Sequence, residues 1–208
     1  MKVNVDYSLY LCTDRTLMTS ATIEESVKAA LEGGVTLVQL REKNCSGRAF
    51  YELGLRVKKI TDAYGVPLII NDRADIALAV GAAGVHVGQS DLPCKAARAL
   101  MGKDKIVGVS VRCLQEALQA EREGADYIGV GAVFATRTKD DAAQVTAEEL
   151  RGIRKAVRIP VVAIGGVNRQ TLPLLKDTGI DGVAVVSAIV SQPDEKRAAE
   201  ELLRIWKA

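Results

Sequence analysis

The side chains able to do chemistry gather in short stretches, each closing an apolar run. Gln39-Leu40-Arg41-Glu42-Lys43 closes the first. Side chains alternate along a strand, so Gln39, Arg41 and Lys43 share one face while Leu40 and Glu42 share the other. An amide and two cations on one face are costly to desolvate without an anionic partner. Arg and Lys together are the usual receivers of phosphate; a structural ion-pair network is the alternative. Asn71-Asp72-Arg73 and Gln89-Ser90-Asp91-Leu92-Pro93 close two further runs. Taken singly, Asn71 or Asp72 reads as the cap of one following helix and Asp91 as the cap of another opened by Pro93. Taken together they can meet as a carboxylate pair, and beside Arg41 and Lys43 such a pair suits Mg2+, which takes few protein ligands and fills its shell with phosphate and water.

Ser110 ends another run, Gly165-Gly166 another, and Val186-Ser187 the last. Glycines let the backbone approach a ligand closely. A polar loop at 131–142 carries Thr136, Arg137, Thr138 and Lys139 in succession, two hydroxyls among cations, a composition that suits an anionic ligand. At roughly a dozen residues it is long for a compact α/β domain, and such loops are usually functional. Two anion sites are therefore expected, one metal-assisted and one near the last three strands. The single histidine, His86, lies inside Val85-His86-Val87 and reads as a strand histidine with satisfied hydrogen bonds. No G-x-S-x-G elbow accompanies it. Gly129-x-Gly131 lacks the third glycine of a dinucleotide fingerprint, and no P-loop occurs.

These residues need elements to position them. Short continuous runs rich in Val and Ile, the mark of parallel strands buried on both faces, fall at 8–13, 35–41, 67–71, 85–88, 105–110, 126–131, 160–164 and 183–187. Helical patterns separate them, one capped near Thr22, another resuming near Thr146, with glycine stops at Gly34, Gly65, Gly84, Gly124 and Gly179. The helix after Asn168 has Pro173 close to its start. Eight such units in 208 residues favour a closed (β/α)8 TIM barrel, one catalytic domain over 1–208, with the site at the C-terminal ends of the strands.

Composition narrows the function classes. A net charge of +2 makes no general case for nucleic acid or membrane surfaces. The four cysteines are scattered without a C-x-x-C pair, as expected of reduced thiols in a cytoplasmic protein. The first residues lack the apolar region of a signal peptide, and no run approaches the ~20 apolar residues of a membrane span.

In these stretches the chain closely resembles the thiamine phosphate synthase family. The matching motifs are Val38 to Lys43, Ile69 to Arg73, Gly84 to Asp91, Gly108-Val109-Ser110, Gly129 to Phe134 leading to Thr136-Arg137-Thr138-Lys139, Ala163 to Gly166, and Ala184 to Ile189. The resemblance implies a transferase that joins a hydroxymethylpyrimidine diphosphate to a thiazole phosphate, releasing diphosphate by a dissociative, Mg2+-assisted displacement. It implies that Gln39, Leu40, Arg41, Glu42, Lys43, Asn71, Ser110 and Lys139 bind the pyrimidine diphosphate, with Arg41, Lys43, Ser110 and Lys139 in the catalytic role. It implies Asp72 and Asp91 as ligands of one Mg2+ per site, and Thr136, Arg137, Thr138, Gly166, Val186 and Ser187 around the thiazole phosphate. The expected partners are these small molecules, with homo-oligomerisation left open. The chain departs from the family at Ala132 and Ala135, where proline is expected, which bears on ordering of the 131–142 loop rather than on a ligand contact. A thiazole tautomerase paralogue would share the barrel but lack much of the Arg41, Lys43, Asn71, Asp72, Asp91 and Lys139 set. A non-catalytic thiazole-phosphate-binding barrel is the alternative from another class.

Overall fold

A computed structural model describes residues 4–135 and 144–208. Eight strands, β1 Leu9–Cys12, β2 Leu37–Leu40, β3 Leu68–Asn71, β4 Gly84–Val87, β5 Ile106–Val111, β6 Tyr127–Val130, β7 Val161–Ile164 and β8 Gly182–Val185, pair in order and close β8 onto β1. All pairs are parallel. The barrel expected from the spacing is the barrel observed.

The period of two sorts each strand. Leu9 and Leu11, Val38 and Leu40, Val85 and Val87, and Ile128 and Val130 pack outward against the helices. Tyr10, Cys12, Leu37, Ile69, Ile106, Tyr127, Val162 and Ala184 fill the interior. A glycine makes room for one of the interior tyrosine rings. A Cβ on Gly108 would lie 2.2 Å from the Tyr127 ring, so the aromatic fits only because β5 is bare there.

The outer layer comprises α1 Ile23–Glu32, α2 Gly47–Ala63, α3 Ala74–Ala79, α4 Cys94–Met101, α5 Leu114–Arg122, α6 Ala147–Ala156, α7 Ser187–Val190 and α8 Glu195–Lys207, with a 3-10 helix at Leu172–Thr178. Thr22 and Ser46 accept from the third residue of their helices, and Thr146 with Glu149 forms a reciprocal capping box. Among the described residues no helix is long and apolar enough to cross a membrane.

Three local expectations are corrected. The stop before β4 is Gly81, with φ +69°, and not Gly84, which opens the strand where a Cβ would meet the Ile106 carbonyl at 2.2 Å. The segment after Asn168 is 3-10 rather than α, with Pro173 in its first turn withholding an N–H. The last strand ends at Val185; Val186 leaves the strand conformation and Ser187 begins α7.

Candidate active site

A cavity of about 740 Å³ opens at the C-terminal ends of the strands. That is an ordinary size for a small-molecule site. Gln39, Arg41 and Lys43 line it, with Asn71, Asp72, Asp91, Ser110, Gly166, Val186 and Ser187. The alternation along β2 holds: Leu40 is fully buried in the layer against the helices, and Glu42 pairs with Arg15 outside the cavity. Neither Leu40 nor Glu42 lines the cavity. Thr136, Arg137, Thr138 and Lys139 lie outside the described residues. The flanks of their loop are tied down, since Val133 N–H donates to Ile164 O, Phe134 N–H to Gly165 O and Val145 N–H to Ala132 O.

Both cations already have carboxylate partners. Arg41 Nη1 donates to Asp14 Oδ2 at 2.9 Å, and Lys43 Nζ to Asp72 Oδ2 at 2.8 Å. Asp14, 8 % exposed, also accepts from the Thr16 amide and hydroxyl, so a fixed carboxylate aims Arg41 at the mouth. Sequence reading missed Asp14. Its signal was an Asp two residues before a Thr at the end of the first strand, the pattern of a local Asx turn.

The cap readings of the two aspartates fail. The residue capping α3 is Arg73 and the one capping α4 is Pro93, neither with a side-chain cap bond. Asp72 instead sits at φ +63°, with the Arg73 N–H turning back to Asn71 O, a tight γ-turn uncommon for a residue with a side chain. Asp91 Oδ2 accepts from the Gly88 N–H at 2.8 Å. The two carboxylates come within hydrogen-bonding reach of each other. Burial first, then the Asp72 carboxylate, push the Asp91 carboxyl above its usual range. Two adjoining carboxylates at the mouth form a place where a cation relieves repulsion. Among the described residues no group of three or more His, Cys, Asp or Glu forms a closed metal cage. Two carboxylates that open on a cavity would suit a hard divalent ion that keeps water and phosphate oxygens in its shell.

Asn71 is 9 % exposed and lines the cavity with no side-chain partner among the described residues. A nearly buried amide in that position is suited to a ligand. Across the mouth, Gly165 and Gly166 have φ of +96° and +68°. A Cβ on Gly166 would lie 2.6 Å from the Ala135 carbonyl oxygen. The Gly165 carbonyl accepts from Phe134 N–H, and that of Gly166 from Asn168 Nδ2 and Thr171 Oγ1. A trans peptide sets its N–H opposite its C=O, so the amides that follow point away from these partners.

His86 has both ring nitrogens engaged, Nδ1 with Tyr127 Oη at 2.9 Å and Nε2 with Ser110 Oγ at 2.8 Å. The expectation of a satisfied strand histidine stands.

The family model "Thiamine monophosphate synthase" matches residues 9–189. A thiamine-phosphate synthase of Ruminiclostridium cellulolyticum is 59 % identical over 206 residues, covering 99 % of this chain and 98 % of that protein. One from Clostridium beijerinckii is 56 % identical over 202 residues, covering 97 % of each. The solved thiamine phosphate pyrophosphorylase of Pyrococcus furiosus superposes with a TM-score of 0.91 at 44 % identity, covering 97 % of this chain and 96 % of that one. A match along the whole barrel leads to one conclusion: the chain belongs to the thiamine monophosphate synthase family.

Proposed function

We infer that the mouth of this barrel is divided between two phosphorylated substrates, one on each flank. The reaction is a transfer: a hydroxymethylpyrimidine diphosphate and a thiazole phosphate give thiamine phosphate and diphosphate. The observation that carries the division is the meeting of Asp72, Asp91, Arg41 and Lys43 on one side of a cavity whose other side is a glycine cradle.

On the first flank Gln39, Arg41, Lys43, Asn71 and Ser110 take the pyrimidine diphosphate, with the Leu40 and Glu42 backbone and Lys139 completing the set. Asp72 and Asp91 would hold one Mg2+ there, whose charge, when bound, makes diphosphate a better leaving group. On the second flank Thr136, Arg137 and Thr138, with Gly166, Val186 and Ser187, take the thiazole phosphate. Barrels often bind phosphate in the loops after their last two strands.

The chemistry asks little of acid–base groups. The carbon–oxygen bond to diphosphate breaks with its electron pair leaving on oxygen, and the aminopyrimidine ring delocalises the positive charge left on carbon. Arg41, Lys43 and Lys139 take up charge developing on diphosphate. The thiazole nitrogen, held in line, then donates its electron pair to that carbon. Water kept out of the mouth protects the cation. No covalent nucleophile is needed, which agrees with a lone histidine engaged at both ring nitrogens.

The experiment mixes both substrates with Mg2+ and looks for thiamine phosphate. Product that disappears with a chelator and returns with Mg2+ is expected. Thiazole phosphate binding without turnover would instead mean a non-catalytic barrel. A tautomerase reading is not favoured, because the relatives above are synthases by name over the whole chain.

A further inference from the structure

A line of buried polar groups crosses the barrel interior beneath the mouth. Gln39 Nε2 donates to Tyr10 Oη at 2.7 Å, Tyr10 Oη and Tyr127 Oη lie 2.8 Å apart, and His86 bridges Tyr127 and Ser110 at 2.9 and 2.8 Å. Gln39, Tyr10, Tyr127 and His86 are buried on the floor of the cavity, and Ser110, half-buried, lines it beside them.

The chemistry of the first donor sets the direction of the rest. An amide nitrogen has protons and no lone pair to offer, so the Tyr10 oxygen accepts from Gln39. Its own proton must then go to Tyr127. Tyr127 in turn directs its proton to His86 Nδ1, which must be bare, leaving the imidazole proton on Nε2 and pointing at Ser110 Oγ. The Ser110 oxygen accepts, and its hydroxyl proton has no other partner among the described residues. Burial keeps both tyrosines protonated far above their usual range, so each has a proton to pass along. A buried chain in which one end dictates the other is costly to leave half-satisfied.

We propose that the chain from Gln39 through Tyr10, Tyr127 and His86 is a positioning device that fixes His86 as the Nε2–H tautomer and turns Ser110 into a hydrogen-bond donor facing the cavity. A donor there selects an acceptor on the ligand, a ring nitrogen or a phosphate oxygen, over an amino group. The inference deepens the reading that Ser110 meets the pyrimidine diphosphate and rests on it for that consequence alone. The tautomer itself is a property of the ligand-free protein.

The single histidine makes the test clean. Long-range 1H–15N correlation spectra of ligand-free, 15N-histidine-labelled protein at neutral pH should show a protonated Nε2 and a bare Nδ1. A proton on Nδ1, on both nitrogens, or averaged between them overturns the proposal. Gln39→Glu replaces the donor by an acceptor, so every bond in the chain should reverse and the proton should move to Nδ1; an unmoved proton would also overturn it. A kinetic cycle gives the second readout: Tyr127→Phe should raise KM for the pyrimidine diphosphate about tenfold in the intact chain and less than about twofold beside Ser110→Ala. Equal effects in both backgrounds would show that Tyr127 does not act through Ser110. If thiamine phosphate never forms, the spectra still decide the tautomer, so the two readings fail separately.

Discussion

Asp91 shows how one residue can be costly to the fold and useful to the site. Its carboxyl is raised by burial and by Asp72, so the folded state binds its proton more tightly than the unfolded chain does. The resulting penalty is present in full above the raised value and fades as pH falls through it. Asp91→Asn should therefore melt at a higher temperature than the parent without metal at neutral pH, with the gap narrowing on acidification. Adding Mg2+ should invert the ranking. At a hundredfold excess over its Kd a ligand adds about 2.7 kcal/mol to the parent, and the variant should gain far less in the same thermal scan. Asp14 acts on the ligand through Arg41, its ion-pair partner. Asp14→Ala frees that guanidinium, and KM for the pyrimidine diphosphate should rise about tenfold, roughly 1.4 kcal/mol, with kcat changed much less. An equal loss in both would give Asp14 a role in the transition state.

At the scale of elements, the second flank depends on backbone more than side chains. The turn after β7 uses left-handed conformations at Gly165 and Gly166, and its carbonyls are tied to Phe134, Asn168 and Thr171. Gly166→Ala introduces a Cβ at an unfavourable φ and against the Ala135 carbonyl. It should cost about 1–3 kcal/mol and raise KM for thiazole phosphate by tenfold or more, while pyrimidine diphosphate binding, followed by calorimetry, stays close to the parent. The opposite asymmetry is expected of the neighbouring loop. Lys139→Ala should impair the pyrimidine diphosphate half far more than thiazole phosphate binding. Equal losses would make the loop a general anion holder rather than a bridge between the two substrates.

At the scale of the whole molecule, the barrel interior is both core and support for the site. Tyr127 fills its middle, touching Gly108 and sending its hydroxyl to Tyr10 and His86. Gly108→Ala overfills that space and should destabilise the protein by about 1–3 kcal/mol or more, measured by denaturant unfolding, with the His86 resonances shifting alongside. Much of this was legible in the sequence. The eight Val- and Ile-rich runs determined the barrel, because parallel strands buried on both faces need apolar residues throughout. The period of two placed Gln39, Arg41 and Lys43 on one face and Leu40 and Glu42 on the other, since alternation is a local property of a strand. What stayed hidden was contact between residues far apart in the chain. Whether Asp72 and Asp91 cap helices or face each other depends on how two loops meet, and local sequence permits both. The reach of Asp14 to Arg41, and the line from Gln39 to Ser110 through two tyrosines, exist only once β1, β2, β4, β5 and β6 close into a ring. Sequence determined the frame and the candidate cations and carboxylates; closure of the barrel decided their partners, because side chains that no local period relates become neighbours only across its interior.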